Sequence, residues 1–171
     1  MKACGSNQFK VVSLFAGIGG FEVAFRKAGA ITNLMCEIDP VARHVLESRL
    51  SGVQIVDDVR DVDVLPRGTD ILCAGFPCQD LSSVGVKVGL DGTRSSLVHE
   101  VFRILEERRS EWVIFENVSF MLKLKGGETI RTIVDALERL GYHWAYRTID
   151  SLSFVPQHRC RVFVVASLHH D

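Results

Sequence analysis

Val11-Val12-Ser13-Leu14-Phe15-Ala16-Gly17-Ile18-Gly19-Gly20 carries no charge and runs from an apolar stretch straight into a glycine turn. Val11 to Phe15 reads as a buried strand. The glycines at 17, 19 and 20 permit a tight bend and let a ligand approach the main chain. A helix is expected next, from about Phe21 to Ala28, with Gly29 as its stop.

Outward from this unit, apolar strand-like runs alternate with segments of helical period. The pattern predicts an α/β fold with a mostly parallel sheet. Ile31 to Glu37 is the second expected strand. Asp39-Pro40 then reads as a helix start, a capping carboxylate followed by proline where no amide donor is needed. That helix runs to about Leu50. Further strands are expected at Gln54–Val56, Asp70–Gly75, Trp112–Glu116, Tyr142–Ile149 and Arg161–Ala166. A helix begins near Ser96 with Leu97, Val98, Val101, Phe102 and Leu105 on one face. Another carries Ile130, Ile133, Val134, Leu137 and Leu140 and is closed by Gly141. Residues 76 to 94 show little periodicity and read as a long loop, a length usually reserved for function. No internal repeat, low-complexity tract or linker divides the chain, so residues 1–171 read as a single domain.

The turn's chemistry is selective. A dinucleotide fingerprint places a third glycine where this chain has Glu22, which argues against a pyrophosphate ligand and against a NAD-dependent oxidoreductase. Glu37 closes the second strand about 20 residues after the turn, where an acid can accept hydrogen bonds from a ribose. A nucleoside without phosphates fits both facts, and S-adenosylmethionine is such a ligand. The bland alternative is a structural glycine turn in a protein that binds no nucleotide.

The bulk numbers exclude several classes. With 47% hydrophobic and 24% charged residues the chain has an ordinary soluble balance. No apolar run is long enough to span a bilayer. Residues 1–10 lack the layout of a signal peptide, so a cytoplasmic place is expected, or a nucleoid-associated or nuclear one. Five cysteines, Cys4, Cys36, Cys73, Cys78 and Cys160, show neither disulfide nor zinc spacing, so no metal is expected. The formal net charge of −1 shows no general basic surface for DNA. Arg103, Arg108 and Arg109 could form a local basic patch, although a solvated helix face is the plainer reading.

Gly75-Phe76-Pro77-Cys78-Gln79 follows the fourth expected strand. Ligands of open α/β sheets bind at the carboxyl ends of strands, so a cysteine in this loop is placed to act as a nucleophile. Cys4, Cys36, Cys73 and Cys160 are read as packing residues. Phe15-Ala16-Gly17-Ile18-Gly19-Gly20, Gly75 to Gln79, Glu116-Asn117-Val118 and Gln157-His158-Arg159-Cys160-Arg161 together resemble four signature motifs of the cytosine-5 DNA methyltransferases, in that family's order.

The resemblance covers roughly Lys10 to Ser167. It implies a Rossmann-like, S-adenosylmethionine-dependent methyltransferase fold, a mostly parallel seven-stranded sheet with an antiparallel last strand. It implies that Cys78 is the thiolate that adds to carbon 6 of a flipped cytosine, and that Glu116 serves ring nitrogen 3. Arg161 would hold the exocyclic oxygen and Arg159 would brace the active-site loop. Asn117 would position the Pro77-Cys78 backbone, Gln79 would fill the gap left by the base, and Ser82 would contact phosphate. For the cofactor, Phe15, Ala16, Gly17, Gly19, Gly20 and Pro77 would line the methionine side. Glu37 would take the ribose, Ile38 would lie on the adenine, and Asp58 with Val59 would read its amino group, or Asp57 if the register slips.

Members of that family continue into a target-recognition region and two further motifs. This sequence is expected to need a second polypeptide for them before it acts on DNA. The competing expectations are a truncated, inactive S-adenosylmethionine-binding remnant and a tRNA-directed relative.

Overall fold

The computed structural model describes residues 8–77 and 97–169. Cys4, Cys78, Gln79, Ser82 and the expected helix start at Ser96 lie outside the described residues. Seven strands form one sheet: β1 Lys10–Leu14, β2 Ile31–Cys36, β3 Gln54–Val56, β4 Ile71–Ala74, β5 Trp112–Val118, β6 His143–Asp150 and β7 Cys160–Ser167. The helices are α1 Gly20–Lys27, α2 Pro40–Arg49, α3 Leu97–Glu107 and α4 Glu128–Arg139. The sheet order is β3-β2-β1-β4-β5-β7-β6. β1 to β5 pair in parallel, and β7 is inserted antiparallel between β5 and β6. This is the expected mostly parallel sheet with an antiparallel last strand.

The period-2 alternation of β1 explains the layering. Val12 and Leu14 face one side of the sheet and join Leu72, Ala74, Val113 and Phe115 in the main core, with Val101 and Leu105 of α3 and Ile133 and Leu137 of α4. Val11 faces the other side with Ile71 and Cys73, where Phe21 and Phe25 of α1 pack. Leu46 and Leu50, from α2 and its end, cover Met35 there. Each fully buried aliphatic or aromatic side chain contributes about 1.5–3 kcal/mol through burial. Phe115 anchors the main core, edge-on to Phe76 and Phe102 at 5.5 and 5.9 Å.

Two boundaries differ from the sequence reading, both at the carboxyl edge. β1 stops at Leu14 because Phe15 has φ 59, which takes the chain out of the sheet. β5 continues past Glu116 to Val118 because β7 pairs with it to the end, Asn117 opposite Val162 and Val118 opposite Arg161. Glu116 is therefore inside a strand, not at its end.

Arg103, Arg108 and Arg109 form neither a DNA patch nor a merely solvated face. Arg103 pairs with Glu100 at 2.7 Å and donates to the Val62 carbonyl at 2.8 Å. Arg108 donates to the Leu65 carbonyl, and Arg109 to the Leu140 carbonyl at 3.0 Å. Carbonyls left open in loops and at a helix end attract guanidinium donors, so these arginines tie loops to α3 and α4. Among the described residues, no helix is long and apolar enough to cross a membrane.

Candidate active site at the carboxyl edge of the sheet

The strand order reverses between β1 and β4, which opens a crevice beyond their carboxyl ends. β1 enters it as Phe15 to Gly20. Gly19 is the N-cap of α1 with φ 93, and a Cβ there would lie 3.2 Å from Leu46 Cδ2, so backbone angle and close packing both favour glycine. The turn is pinned from β2. Glu37 Oε2 accepts the Gly17 N–H at 2.7 Å, and its Oε1 accepts the Asp39 N–H at 2.9 Å. Each carboxylate oxygen can still accept another bond. Asp39 in turn caps α2, accepting from the N–H groups of Val41 and Ala42.

Ile38 and Ile18 stand 65% and 58% exposed beside this turn. Apolar side chains with a few fixed polar groups are the usual lining of a small-molecule site. Asp58 caps the 3-10 turn after β3 by accepting the Arg60 N–H, and its carboxylate also takes the Arg60 guanidinium. Those bonds lower the Asp58 pKa to about 2. Val59 is buried in the main core, which leaves its main chain to face a ligand. Asp57 is exposed and pairs with Arg43 Nε at 3.4 Å. Arg43 also donates to the carbonyls of Glu37 and Ile38. Arg43 and Arg60 were invisible to motif reasoning, because their carbonyl and carboxylate partners are set by the packing of α2 and the path after β3.

Beneath the turn lies Glu22, fully buried, with neither carboxylate oxygen hydrogen-bonded. Burial pushes its pKa up, and the nearby Ser13 hydroxyl offsets the rise only partly. The residue that departs from the dinucleotide fingerprint is thus an interior group of α1.

The other side of the crevice is built from β4, β5 and β7. Glu116 Oε1 pairs with Arg161 Nε at 2.9 Å, and Arg161 also donates to the Cys160 carbonyl at 2.9 Å. Glu116 Oε2 sits over Gly75, 3.5 Å from where a Cβ would be. The neighbouring Asn117 is buried, and its Nδ2 donates to the Phe76 carbonyl at 2.9 Å while its Oδ1 accepts the Val118 N–H. Asn117 therefore fixes the chain that leads through Pro77 to Cys78. Arg159 is exposed, and it is the backbone N–H that the structure shows engaged, donating to Asp150. Two other thiols are poor nucleophiles. Burial, with the acids Asp58 and Glu37 nearby, pushes Cys36 up to about 12. Burial alone carries Cys73 well above the ordinary thiol value.

The structure thus brings together Phe15, Ala16, Gly17, Gly19, Gly20, Glu37 and Ile38 on one wall and Glu116, Asn117, Arg161 and Pro77 on the other. Residues 9–171 match the family described as C-5 cytosine-specific DNA methylase. The Type II methyltransferase M2.BsuMI of Bacillus subtilis (strain 168) is 46% identical over 167 residues, 95% of this chain and 43% of that protein. The Type II methyltransferase M.MspI of Moraxella sp is 35% identical over 170 residues, 97% of this chain and 40% of that protein. A solved structure of an S. pombe Dnmt2 methyltransferase superposes with a TM-score of 0.76 at 18% identity, over 96% of this chain and 52% of that one, a likeness of fold. The chain spans about half or less of the length of these relatives.

Proposed function

The chain belongs to the C-5 cytosine-specific DNA methylase family, and on that premise we propose that it is the catalytic half of a DNA (cytosine-5-)-methyltransferase. The observation that carries this reading is the convergence at β4, β5 and β7. The Glu116–Arg161 pair at 2.9 Å stands beside a buried Asn117 that holds the peptide just before Pro77 and Cys78.

The cofactor would be S-adenosylmethionine, and the residues present suit it. Glu37 offers remaining lone pairs for two ribose hydroxyls, Ile38 an exposed apolar face for adenine, and Phe15 to Gly20 a bare main chain for the methionine part. Asp58 would share its carboxylate between Arg60 and the adenine amino group, with Val59 contributing main chain only. When bound, the cofactor supplies an electrophilic methyl group.

Cytosine carbon 5 is too weak a nucleophile to take that group unaided. The Cys78 thiolate would add to carbon 6 of a base swung out of the duplex, and the ring electrons pushed to carbon 5 then form the new carbon–carbon bond. Charge developing on the ring is met at nitrogen 3 by Glu116, which holds a proton there, and at the exocyclic oxygen by Arg161. Loss of the carbon 5 proton expels Cys78 and restores the ring. Arg159 and Gln79 would act around this centre, Arg159 on the loop and Gln79 in the space the base leaves.

The net charge of −1 supplies little general attraction for DNA. Reading of the target sequence is proposed to rest on residues outside this span, either a second polypeptide or further length of the same one. The test uses duplex DNA containing 5-fluorocytosine, with S-adenosylmethionine and the chain in its complete assembly. Fluorine cannot leave as a proton, so the adduct is trapped. Peptide mapping is expected to find it on Cys78 and to lose it in Cys78→Ser. An adduct on Cys73 or Cys160 would overturn the assignment.

A further inference from the structure

On the far side of β7 from the Glu116 pair, the turn joining β6 to β7 gathers three ligand-type side chains. Asp150 ends β6, and Cys160 opens β7 as its partner in the antiparallel ladder. His158 precedes Cys160 by two residues, the spacing that puts side chains of an extended chain on one face. One donor atom from each of the three lies within 4.8 Å of the other two. Asp150 Oδ2 is 2.6 Å from His158 Nδ1. Arg161, next along the strand, points the opposite way and reaches Glu116.

The carboxylate is held in place before any ligand arrives. Its Oδ1 accepts the N–H groups of Leu152 at 3.1 Å and Arg159 at 3.2 Å, which leaves Oδ2 to face His158. Carboxylates that ligate metals are commonly oriented by hydrogen bonds of this kind. The Leu152 amide first, and the Arg159 amide with it, lower the Asp150 pKa, so the oxygen is ionised at neutral pH. The Cys160 thiol is raised, chiefly by its hydrogen bond to Asp150, and so keeps its proton while no cation replaces it.

We propose that Asp150, His158 and Cys160 form a binding site for one divalent transition-metal ion of the zinc class. Thiolate and imidazole together select such ions over Mg2+ or Ca2+, which prefer oxygen donors. Three protein donors leave a fourth tetrahedral position for water. Zinc bonds of about 2.0–2.3 Å set neighbouring donors about 3.4–3.6 Å apart. The present spacings bracket that range, and the His158 side chain, 74% exposed, is free to rotate into it. On binding, Cys160 releases its proton to solvent and its sulfur lone pair goes to the ion. His158 donates a ring lone pair, giving up a proton first if it carries the imidazolium charge. Affinity therefore rises with pH. No spacing in the sequence announces the site, because Asp150 meets the other two only across the β6–β7 ladder. The ion would clamp that turn and stiffen the strand that carries Arg161.

The test begins with the purified chain stripped by a chelator and dialysed, then titrated with Co2+ as a spectroscopic stand-in. The wild type is expected to develop a thiolate-to-cobalt charge-transfer band that saturates at one equivalent and is bleached by Zn2+. Zn2+ is expected to raise the melting temperature and Mg2+ to leave it unchanged. Cys160→Ser should lose the band, Cys78→Ser should keep it, and His158→Ala should weaken Co2+ binding about tenfold or more. His158 is exposed, so its loss leaves folding intact and the affinity readable. No band in the wild type, a band that survives Cys160→Ser, or equal stabilisation by Mg2+ and Zn2+ would overturn the proposal.

Discussion

The two walls of the crevice are held by different means. On the β1–β2–β3 wall the acids are anchored by backbone amides: Glu37 by Gly17 and Asp39, Asp39 by Val41 and Ala42, and Asp58 by Arg60. On the β4–β5–β7 wall, side chains hold side chains or reach distant carbonyls, Glu116 with Arg161 and Asn117 with Phe76. An amide-anchored acid depends on the path of the chain and tolerates changed neighbours. A paired acid depends on its partner, because removing one charge leaves the other facing low dielectric alone. The first wall is therefore suited to holding a ligand still, the second to a reaction in which charge moves.

Substitutions can break or sharpen this contrast. The largest effect is expected from Glu116→Gln, which should slow methyl transfer by about 10²–10⁴-fold, the range for a positioned proton donor. Cofactor affinity, measured by calorimetry, should change less than about twofold. A parallel loss of cofactor binding would mean that the walls do not act separately. Glu37→Ala should do the reverse, weakening cofactor binding by about 1.5–3 kcal/mol, the scale of a lost charged hydrogen bond. Unchanged affinity would remove Glu37 from the site.

Asn117→Ala should cost about 1–3 kcal/mol in a urea melt, because the buried Phe76 carbonyl loses its donor. It should also lower turnover without a matching loss of cofactor affinity, and rescue by Asn117→Ser is expected to be incomplete. The smallest effect belongs to Asp58→Asn. Folding holds the Asp58 pKa at about 2 against an ordinary 3.8, so its contribution to stability is present above 3.8 and is lost as pH falls through 2. The acid-unfolding curve of the variant should flatten over that window. Because the pair with Arg60 is solvated, the stability difference at neutral pH should stay below about 1 kcal/mol. A larger loss would show that Asp58 supports the wall more than Glu37 does.

Much of the fold was legible because its signals are local. The glycine turn, the Asp39-Pro40 cap and the apolar face of α4 each follow from a few neighbouring residues, and all formed where expected. The limits of strands were less legible. A strand ends where its partner ends, and the Glu116 to Val118 extension exists only because β7 lies beside it. The three arginines near α3 misled for a similar reason, since their charge is visible in sequence and the carbonyls that receive it are not.

The sequence by itself determined the strand–glycine turn–helix unit, the acid that follows it on β2 and the sheet class, because backbone angles and period-2 or period-3.6 patterns are short-range properties. Only the tertiary structure decided which side chains face each other. Glu116 meets Arg161 because β7 inserts beside β5. Asn117 reaches Phe76 across 41 residues because β4 and β5 are neighbours. Asp150, His158 and Cys160 share a face through the register of β6 on β7. Strand order and register follow from how the whole core packs, and a one-residue slip would turn each of these groups to the opposite face.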